Sequence, residues 1–383
     1  MDAAVNPEAA GVNPRKLQEA VAFVEQELED GTFPGAALVA ARHGNVFLER
    51  YWGVYCDREG QERPYLGTEI NMLYSFSKGI ASTVVVLAHQ DGLLDYDTAL
   101  GRYIPEFKGG GKERINLRLL LSHSAGIPTP HFSATYTAKQ WDEAVAATCA
   151  CAVEWEPGTK TAYHAATGQL LAAEAIRRVS GAEFRAMPGL EAWNEICRRR
   201  LFAPLGTRSF SYRIPGPEAR LAVTPRPKAR PWSLDAEHCG VLGHPGGGCF
   251  GTIPDMLKLL QLHLNQGAWE GKQLIRPEAC AEMHAIQNAG PVAEARRSGR
   301  PYECWGLGWM LRGDSPPGWF GLGTLTSPHA FGHAGIDTVM SVGDPQRGLA
   351  ILFLTTDSPM NADTNAPRLR NTITDKIVAA VKG

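Results

Sequence analysis

Leu73-Tyr74-Ser75-Phe76-Ser77-Lys78-Gly79-Ile80 runs directly into Ala81-Ser82-Thr83-Val84-Val85-Val86-Leu87-Ala88, and this stretch decides how the chain is read. The second half is largely apolar and free of Pro and Gly, and it continues to Gly92. The pattern predicts a buried helix with Ser75 in its first turn. Residues three apart share a helix face, so Lys78 comes within reach of the Ser75 hydroxyl. A hydroxyl is a weak nucleophile until a base takes its proton. Lysine acts as that base when burial or a neighbouring cation lowers its pKa. The helix N-terminus adds N–H groups and positive dipole where an oxyanion would form. Alone, Ser-x-x-Lys also describes a capping serine followed by a solvated lysine, so its weight rests on what lies downstream.

Two further stretches lie at compatible positions. Glu156-Pro157-Gly158-Thr159-Lys160-Thr161-Ala162-Tyr163-His164-Ala165 is a turn leading to a tyrosine. A hydroxyl beside a lysine ammonium has a lowered pKa and can shuttle a proton between Ser75, the leaving group and water. His164 is expected to point the other way in an extended segment, as a bystander. Phe331-Gly332-His333-Ala334-Gly335-Ile336-Asp337 opens a strand pair. Its small residues let a substrate lie against the backbone. The Ile336 N–H is placed to donate to an oxyanion, and His333 to bond the tyrosine or a substrate carbonyl.

Composition sets the bounds. The chain has 383 residues, 44% hydrophobic and 20% charged, with a net charge of −2. That is ordinary for a globular enzyme with a large core or two subdomains. Acids and bases are interspersed, which argues against a nucleic-acid partner. Arg198-Arg199-Arg200 reads as a solvated helix face. The start lacks a basic segment followed by an apolar one, and no run of about 18 apolar residues occurs. The expectation is a cytoplasmic protein without a membrane span. The 8 cysteines form no Cys-x-x-Cys pair and read as reduced thiols. No two histidines have ligand spacing on a helix, so no metal or cofactor is expected.

In chain order, Asn13 caps a helix that has Pro14 at its first position and ends at Gly31. Residues 36–42 and 46–52 read as a hairpin across His43-Gly44-Asn45. After the Ser75 helix, Ile115 to Leu121 ends in a short helix, and helical patterns dominate from about 135 to 205. Residues 213–236 form a Pro- and Arg-rich connection. A helix follows from Pro254 to about Asn265. Residues 288–303 and 313–328 read as loops, and Trp305 to Leu311 as one alternating strand. Residues 338–342 and 349–355 pair across Asp344-Pro345, and a helix from Pro367 to Val381 closes the chain. The fold class is α+β: an antiparallel sheet flanked by helices, with a second, mostly helical subdomain. Residues 1–95 and 296–383 are assigned to the sheet subdomain and 96–295 to the helical one, with the active site between them.

The three stretches in this order resemble the serine β-lactamase and penicillin-binding-protein superfamily, nearest to class C β-lactamase-like proteins and family VIII carboxylesterases. The context is similar too: Tyr103 to Phe107, Leu120 to Gly126, Glu156-Pro157-Gly158, Gly246-Gly247-Gly248 and the Trp305–Leu311 stretch, so the likeness covers residues 15–380. The resemblance implies Ser75 as nucleophile, Lys78 as base and Tyr163 as catalytic tyrosine. It places His333 at the first position of the Lys-Thr-Gly triplet, with Gly335 at its end, and implies an oxyanion hole from the N–H groups of Ser75 and Ile336. Two departures matter. Ala165 stands where such β-lactamases usually carry Asn, and His333 where they carry Lys. Both losses favour small ester substrates over β-lactams.

The reading is therefore a serine hydrolase forming an acyl-enzyme on Ser75, a carboxylesterase for short-chain esters. On the same fold, a β-lactamase, a D-amino-acid peptidase or an acyltransferase remains an alternative. A non-catalytic binding or assembly module is the rival from another class. Ser122-His123-Ser124-Ala125-Gly126 resembles an α/β-hydrolase elbow without its first glycine, but Pro128 and Pro130 follow where a helix is required.

Overall fold

The computed structural model describes residues 6–127, 140–223, 243–316, 318, 320–336 and 338–382. Helix α1 spans Pro14–Glu29, and the Asn13 side chain accepts from the N–H groups of Arg15 and Lys16. Strands β1 (Gly35–Arg42) and β2 (Asn45–Cys56) form the expected hairpin. Strands β3 (Glu62–Pro64) and β4 (Ile70–Met72) lead to α2 (Ser77–Gln90). Helices α3 (Leu117–Leu121), α4 (Trp141–Ala150), α5 (Thr167–Val179) and α6 (Gly189–Cys197) follow. Strands β5 (Leu221–Ala222) and β6 (Phe250–Gly251) precede α7 (Ile253–Leu264). The hairpin β7 (Ala268–Trp269) and β8 (Lys272–Gln273) joins α7 to α8 (Pro277–Met283) and α9 (Ala289–Arg297). Strands β9 (Cys304–Trp305), β10 (Met310–Leu311), β11 (Phe331–Gly335), β12 (Val339–Asp344) and β13 (Leu349–Thr355) end in α10 (Ala362–Ala380).

Eight strands make one antiparallel sheet in the order β3-β2-β1-β13-β12-β11-β10-β9. The first and last thirds of the chain meet at β1 and β13, where Ala36 faces Thr355 and Arg42 faces Leu349. Strand β1 is apolar from Gly35 to Ala41 because both faces of the sheet are covered there. Ala36, Leu38 and Ala40 pack with Val21 and Val24 of α1 and with Ile373 and Ile377 of α10. Ala37, Val39 and Ala41 share a core with Val84 of α2 and Leu259 and Leu260 of α7. Every residue of α2 from Ser77 to Ala88 is buried. Each large aliphatic side chain enclosed there contributes about 1.5–3 kcal/mol, so this helix is the rigid post of the molecule.

Two expectations need correction. Trp305 to Leu311 is not one strand but a tight hairpin, with Trp305 opposite Met310. Gly308 turns the chain at φ +79°, and a Cβ there would lie 1.8 Å from the Ser82 Oγ. Residues 288–303 contain α9 rather than only loop. Its early Gly290 and Pro291 read as loop signals, yet proline is tolerated in a first helical turn, where N–H groups lack partners anyway. The Pro/Arg-rich connection is described to Val223, and its part from 224 lies outside the described residues. No helix among the described residues is long and apolar enough to cross a membrane.

Candidate active site

Ser75 does not open the α-helix itself. It sits in a single 3-10 turn, Tyr74–Phe76, stacked directly on the start of α2 at Ser77. Tyr74 adopts φ +46°, a left-handed conformation uncommon outside glycine, and so turns the chain sharply out of β4. A small second sheet, β5-β4-β6, holds this entry. The Leu73 N–H donates to the Cys249 carbonyl at 2.9 Å, and the Cys249 N–H donates to the Ser77 Oγ at 3.1 Å. The Ser75 side chain is left half-buried, on a floor fixed from both sides.

Lys78 is fully buried one turn below. Its Nζ lies 3.1 Å from the Ser75 Oγ, 2.8 Å from the Ala165 carbonyl oxygen and 2.8 Å from the Gly246 carbonyl oxygen. Burial lowers its pKa from 10.5 to about 7. A neutral amine has two N–H groups and one lone pair. The two carbonyls take both N–H groups, and the lone pair then faces the Ser75 hydroxyl.

Tyr163 is brought to the same point. Its hydroxyl hydrogen-bonds Ser75, and the Lys78 Nζ lies 4.9 Å from its ring centre. The ring stacks on Trp305 at 5.8 Å and meets His123 at 4.8 Å and Phe320 at 5.8 Å. The expected lowering of its pKa is overturned. Burial raises it well above the usual phenol range, the bond to Ser75 opposes that, and Glu303 adds to the rise. The physical reason is that the phenol is itself buried, and the cost of burying a phenolate outweighs what its neighbours return.

His333 is buried on β11, with its Nδ1 2.9 Å from the Ala334 carbonyl oxygen and its ring 6.1 Å from that of Tyr163. Burial first, then Lys78, pushes its pKa down to about 3, so it is neutral. No bond from His333 to Tyr163 is present among the described contacts. At Gly335 a Cβ would lie 2.8 Å from the Leu73 carbonyl oxygen and 3.0 Å from the Tyr74 Cβ. Only glycine lets the end of β11 close onto the Ser75 turn, which sets Ile336 beside it.

His164 is fully buried, its ring is 5.6 Å from that of His123, and burial lowers its pKa to about 4. Its N–H donates to the His123 Nδ1 at 3.0 Å, anchoring the Tyr163 segment. The rival serine, Ser124, is 1% exposed in a chain whose main sheet is antiparallel, which excludes the nucleophile elbow of a parallel α/β sheet.

The sequence pointed to Ser75, Lys78, Tyr163, His333, Gly335 and Ile336. The structure adds the carbonyls of Ala165 and Gly246, the packing of His123 against Tyr163, and Arg370, whose Nη2 donates to the Gly335 carbonyl oxygen at 2.8 Å. Main-chain acceptors leave no side-chain signature, although the glycine run at 246–248 marked one of these places.

Comparison with known proteins follows the same outline. The chain is 25% identical over 384 residues to the N-acetylmuramyl-L-alanine amidase of Bacillus subtilis (strain 168), covering 92% of this chain and 83% of that protein. A family VIII carboxylesterase superposes with a TM-score of 0.73 at 23% identity, covering 97% of this chain and 99% of the other. EstCE1, a hydrolase with promiscuous acyltransferase activity, superposes with a TM-score of 0.73 at 19% identity over 95% of this chain and 99% of its own. The profile of the Beta-lactamase family matches residues 20–374, from α1 to α10 and through the Ser75, Tyr163 and His333 stretches. The chain therefore belongs to the Beta-lactamase family and is a serine hydrolase of that superfamily.

Proposed function

We propose that this protein is a serine carboxylesterase acting on small, uncharged esters through an acyl-enzyme on Ser75. The observation that carries the reading is the Lys78 amine: buried, spanned by two carbonyls at 2.8 Å, and 3.1 Å from the Ser75 Oγ. With its pKa at about 7 it is substantially neutral at neutral pH and serves as general base. In acylation Lys78 takes the Ser75 proton while the Oγ attacks the ester carbonyl. The N–H groups of Ser75 and Ile336 receive the oxyanion. Collapse breaks the carbonyl–alkoxide bond, and the alkoxide takes a proton from Tyr163, which Lys78 replenishes. Water then attacks the acyl-enzyme by the same route in reverse. Tyr163 works here as a phenol that donates, because its pKa is raised.

Esters are favoured over β-lactams because the positions that would hold an amide and a carboxylate carry a methyl group, at Ala165, and a neutral imidazole, at His333. The two-part division at residues 95 and 296 belongs to this reading. The test is one panel on one preparation: short p-nitrophenyl esters, nitrocefin, a D-Ala-D-Ala peptide and a fluorophosphonate label. The reading expects labelling at Ser75, lost in Ser75→Ala, with the esters turned over fastest. A chain that takes no label is a non-catalytic module, and a chain that cleaves the peptide fastest is a peptidase.

A further inference from the structure

We propose that His263, Cys280 and His284 form a binding site for a borderline-soft divalent cation of the zinc class, separate from the Ser75 site. His263 lies on α7, Cys280 on α8, and His284 directly follows α8, four residues after Cys280. The pair four apart is a cysteine and a histidine rather than two histidines, and a histidine from a neighbouring helix completes it. One ligand atom from each of the three lies within 4.8 Å of the others. With metal–nitrogen bonds of about 2.0 Å and metal–sulfur bonds of about 2.3 Å, tetrahedral ligand atoms sit roughly 3.3–3.8 Å apart. Rotamer adjustments of about 1 Å close the set.

A second observation orients the first ligand. The Thr83 hydroxyl donates to the Gly79 carbonyl at 2.7 Å, so its oxygen is left to accept from the His263 Nε2 at 3.0 Å. That bond puts the imidazole proton on Nε2 and the lone pair on Nδ1. The Nδ1 is buried without a hydrogen-bond partner, in a side chain 3% exposed. A metal-bound histidine is usually held this way, its other nitrogen bonded to a group that fixes the tautomer. The His284 Nε2 is also buried without a partner, while its Nδ1 lies 3.9 Å from the Cys280 Sγ.

The donor set sets the metal. Two imidazoles and a thiolate suit Zn(II) and its neighbours, whereas Mg(II) and Ca(II) want carboxylate and carbonyl oxygens. Aromatic walls enclose the group: the Phe331 ring stacks on His284 at 4.1 Å, and Trp309 meets His263 at 5.3 Å. His284 is half-buried as a residue, at the end of α8. On loading, the Cys280 S–H bond breaks, a sulfur–metal bond forms, and the proton leaves to solvent with no change of oxidation state. The ion clamps α7 to α8 and, through Thr83, steadies the helix that carries Lys78.

The test uses the full chain after chelation and desalting. Zn(II) is titrated by calorimetry and thermal unfolding, and Co(II) by absorbance. One equivalent of Zn(II), a raised Tm and a thiolate-to-cobalt charge-transfer band are expected. Cys280→Ala and His284→Gln should each weaken Zn(II) binding at least a hundredfold, with ester turnover of the metal-free variants at the wild-type level. If Cys280→Ala does not fold, the partly exposed His284→Gln carries the comparison. Absence of the charge-transfer band in the wild-type protein, or a Tm rise of equal size in the variants, overturns the site. Ser75→Ala should bind Zn(II) unchanged, so failure of the esterase reading and failure of this one are separable.

Discussion

Arg370, 2% exposed on α10, donates a 2.8 Å hydrogen bond to the carbonyl oxygen of Gly335, and the other end of that same peptide group is the N–H of Ile336. A trans peptide holds its C=O and N–H in opposite directions. Fixing the oxygen against a buried guanidinium therefore aims the Ile336 N–H away from α10. A charge-assisted bond also polarises the amide and strengthens the donor.

Arg370→Met should lower kcat for p-nitrophenyl esters about tenfold to a hundredfold with little change in KM, somewhat less than loss of an oxyanion donor outright. Arg370→Lys should recover part of the loss. The discriminating measurement is affinity for a boronic acid, whose tetrahedral adduct needs the oxyanion donors. Unchanged boronate affinity in Arg370→Met would reduce Arg370 to a packing role.

The Lys78 amine sets the pH dependence. Its pKa is lowered to about 7, and in the proposed mechanism the neutral form is the base. The rate of ester acylation should therefore rise as pH increases through about 7 and level off above it. Lys78→Met should lose on the order of 10³-fold or more in kcat/KM and show no such limb. If Tyr163 passes its proton through Lys78 as proposed, Tyr163→Phe should be nearly as severe alone, and the double variant should lose far less than the sum in log rate.

The same shift has a consequence for stability, with a definite sign. The unfolded chain keeps Lys78 protonated up to about pH 10.4, while the folded chain releases that proton near 7. Between those values the unfolded state binds more protons, so this group's contribution to stability rises with pH. Each unit is worth about 1.4 kcal/mol. Urea unfolding at pH 7.5 and 9.5 should show the wild type gaining about 2–3 kcal/mol on Lys78→Met across that window. A difference that is flat with pH would mean that Lys78 remains charged in the folded protein.

Gly79 tests how tightly α2 is held. A Cβ there would lie 2.4 Å from the Trp309 indole, itself fully buried. Gly79→Ala must push the indole or tilt the helix, and overpacking of this kind costs about 1–3 kcal/mol. The next residue back is Lys78, so ester turnover should fall along with Tm. A normal Tm would show that the indole has room to move.

Much of this was legible in the chain because it rests on local pattern. The spacing of Ser75 and Lys78, the Asn13–Pro14 cap, the β1–β2 hairpin and the β12–β13 pair all follow from period and turn residues. Long-range features were not legible. Nothing near Tyr163 in sequence says that its hydroxyl will be buried deeply enough to raise the tyrosine pKa. The carbonyls of Ala165 and Gly246 act through the main chain, which no side-chain pattern records. Arg370 and Gly335 meet only when α10 packs on the sheet. The hairpin at Trp305–Leu311 was missed because alternation outweighed the turn signal of Gly306 and Gly308.

On the esterase reading, substrate choice turns on two positions with different tolerance. Ala165 is only half-buried, its carbonyl serves Lys78, and its methyl group offers no donor to an amide side chain. Ala165→Asn adds that donor without disturbing the carbonyl. His333 is fully buried, and burial first, then Lys78, depresses its pKa. His333→Lys would bury a second cation there and should cost stability rather than supply a usable charge. We therefore expect kcat/KM for short p-nitrophenyl esters to exceed that for nitrocefin by a wide margin in the wild type, each missing polar contact accounting for roughly 1–3 kcal/mol. Ala165→Asn should narrow the gap by about tenfold, and His333→Lys should lower Tm without narrowing it. The check is both substrates at pH 7 and 8 on all three proteins. A wild-type nitrocefin rate equal to the ester rate would mean that other groups supply those contacts, and the esterase assignment would fall.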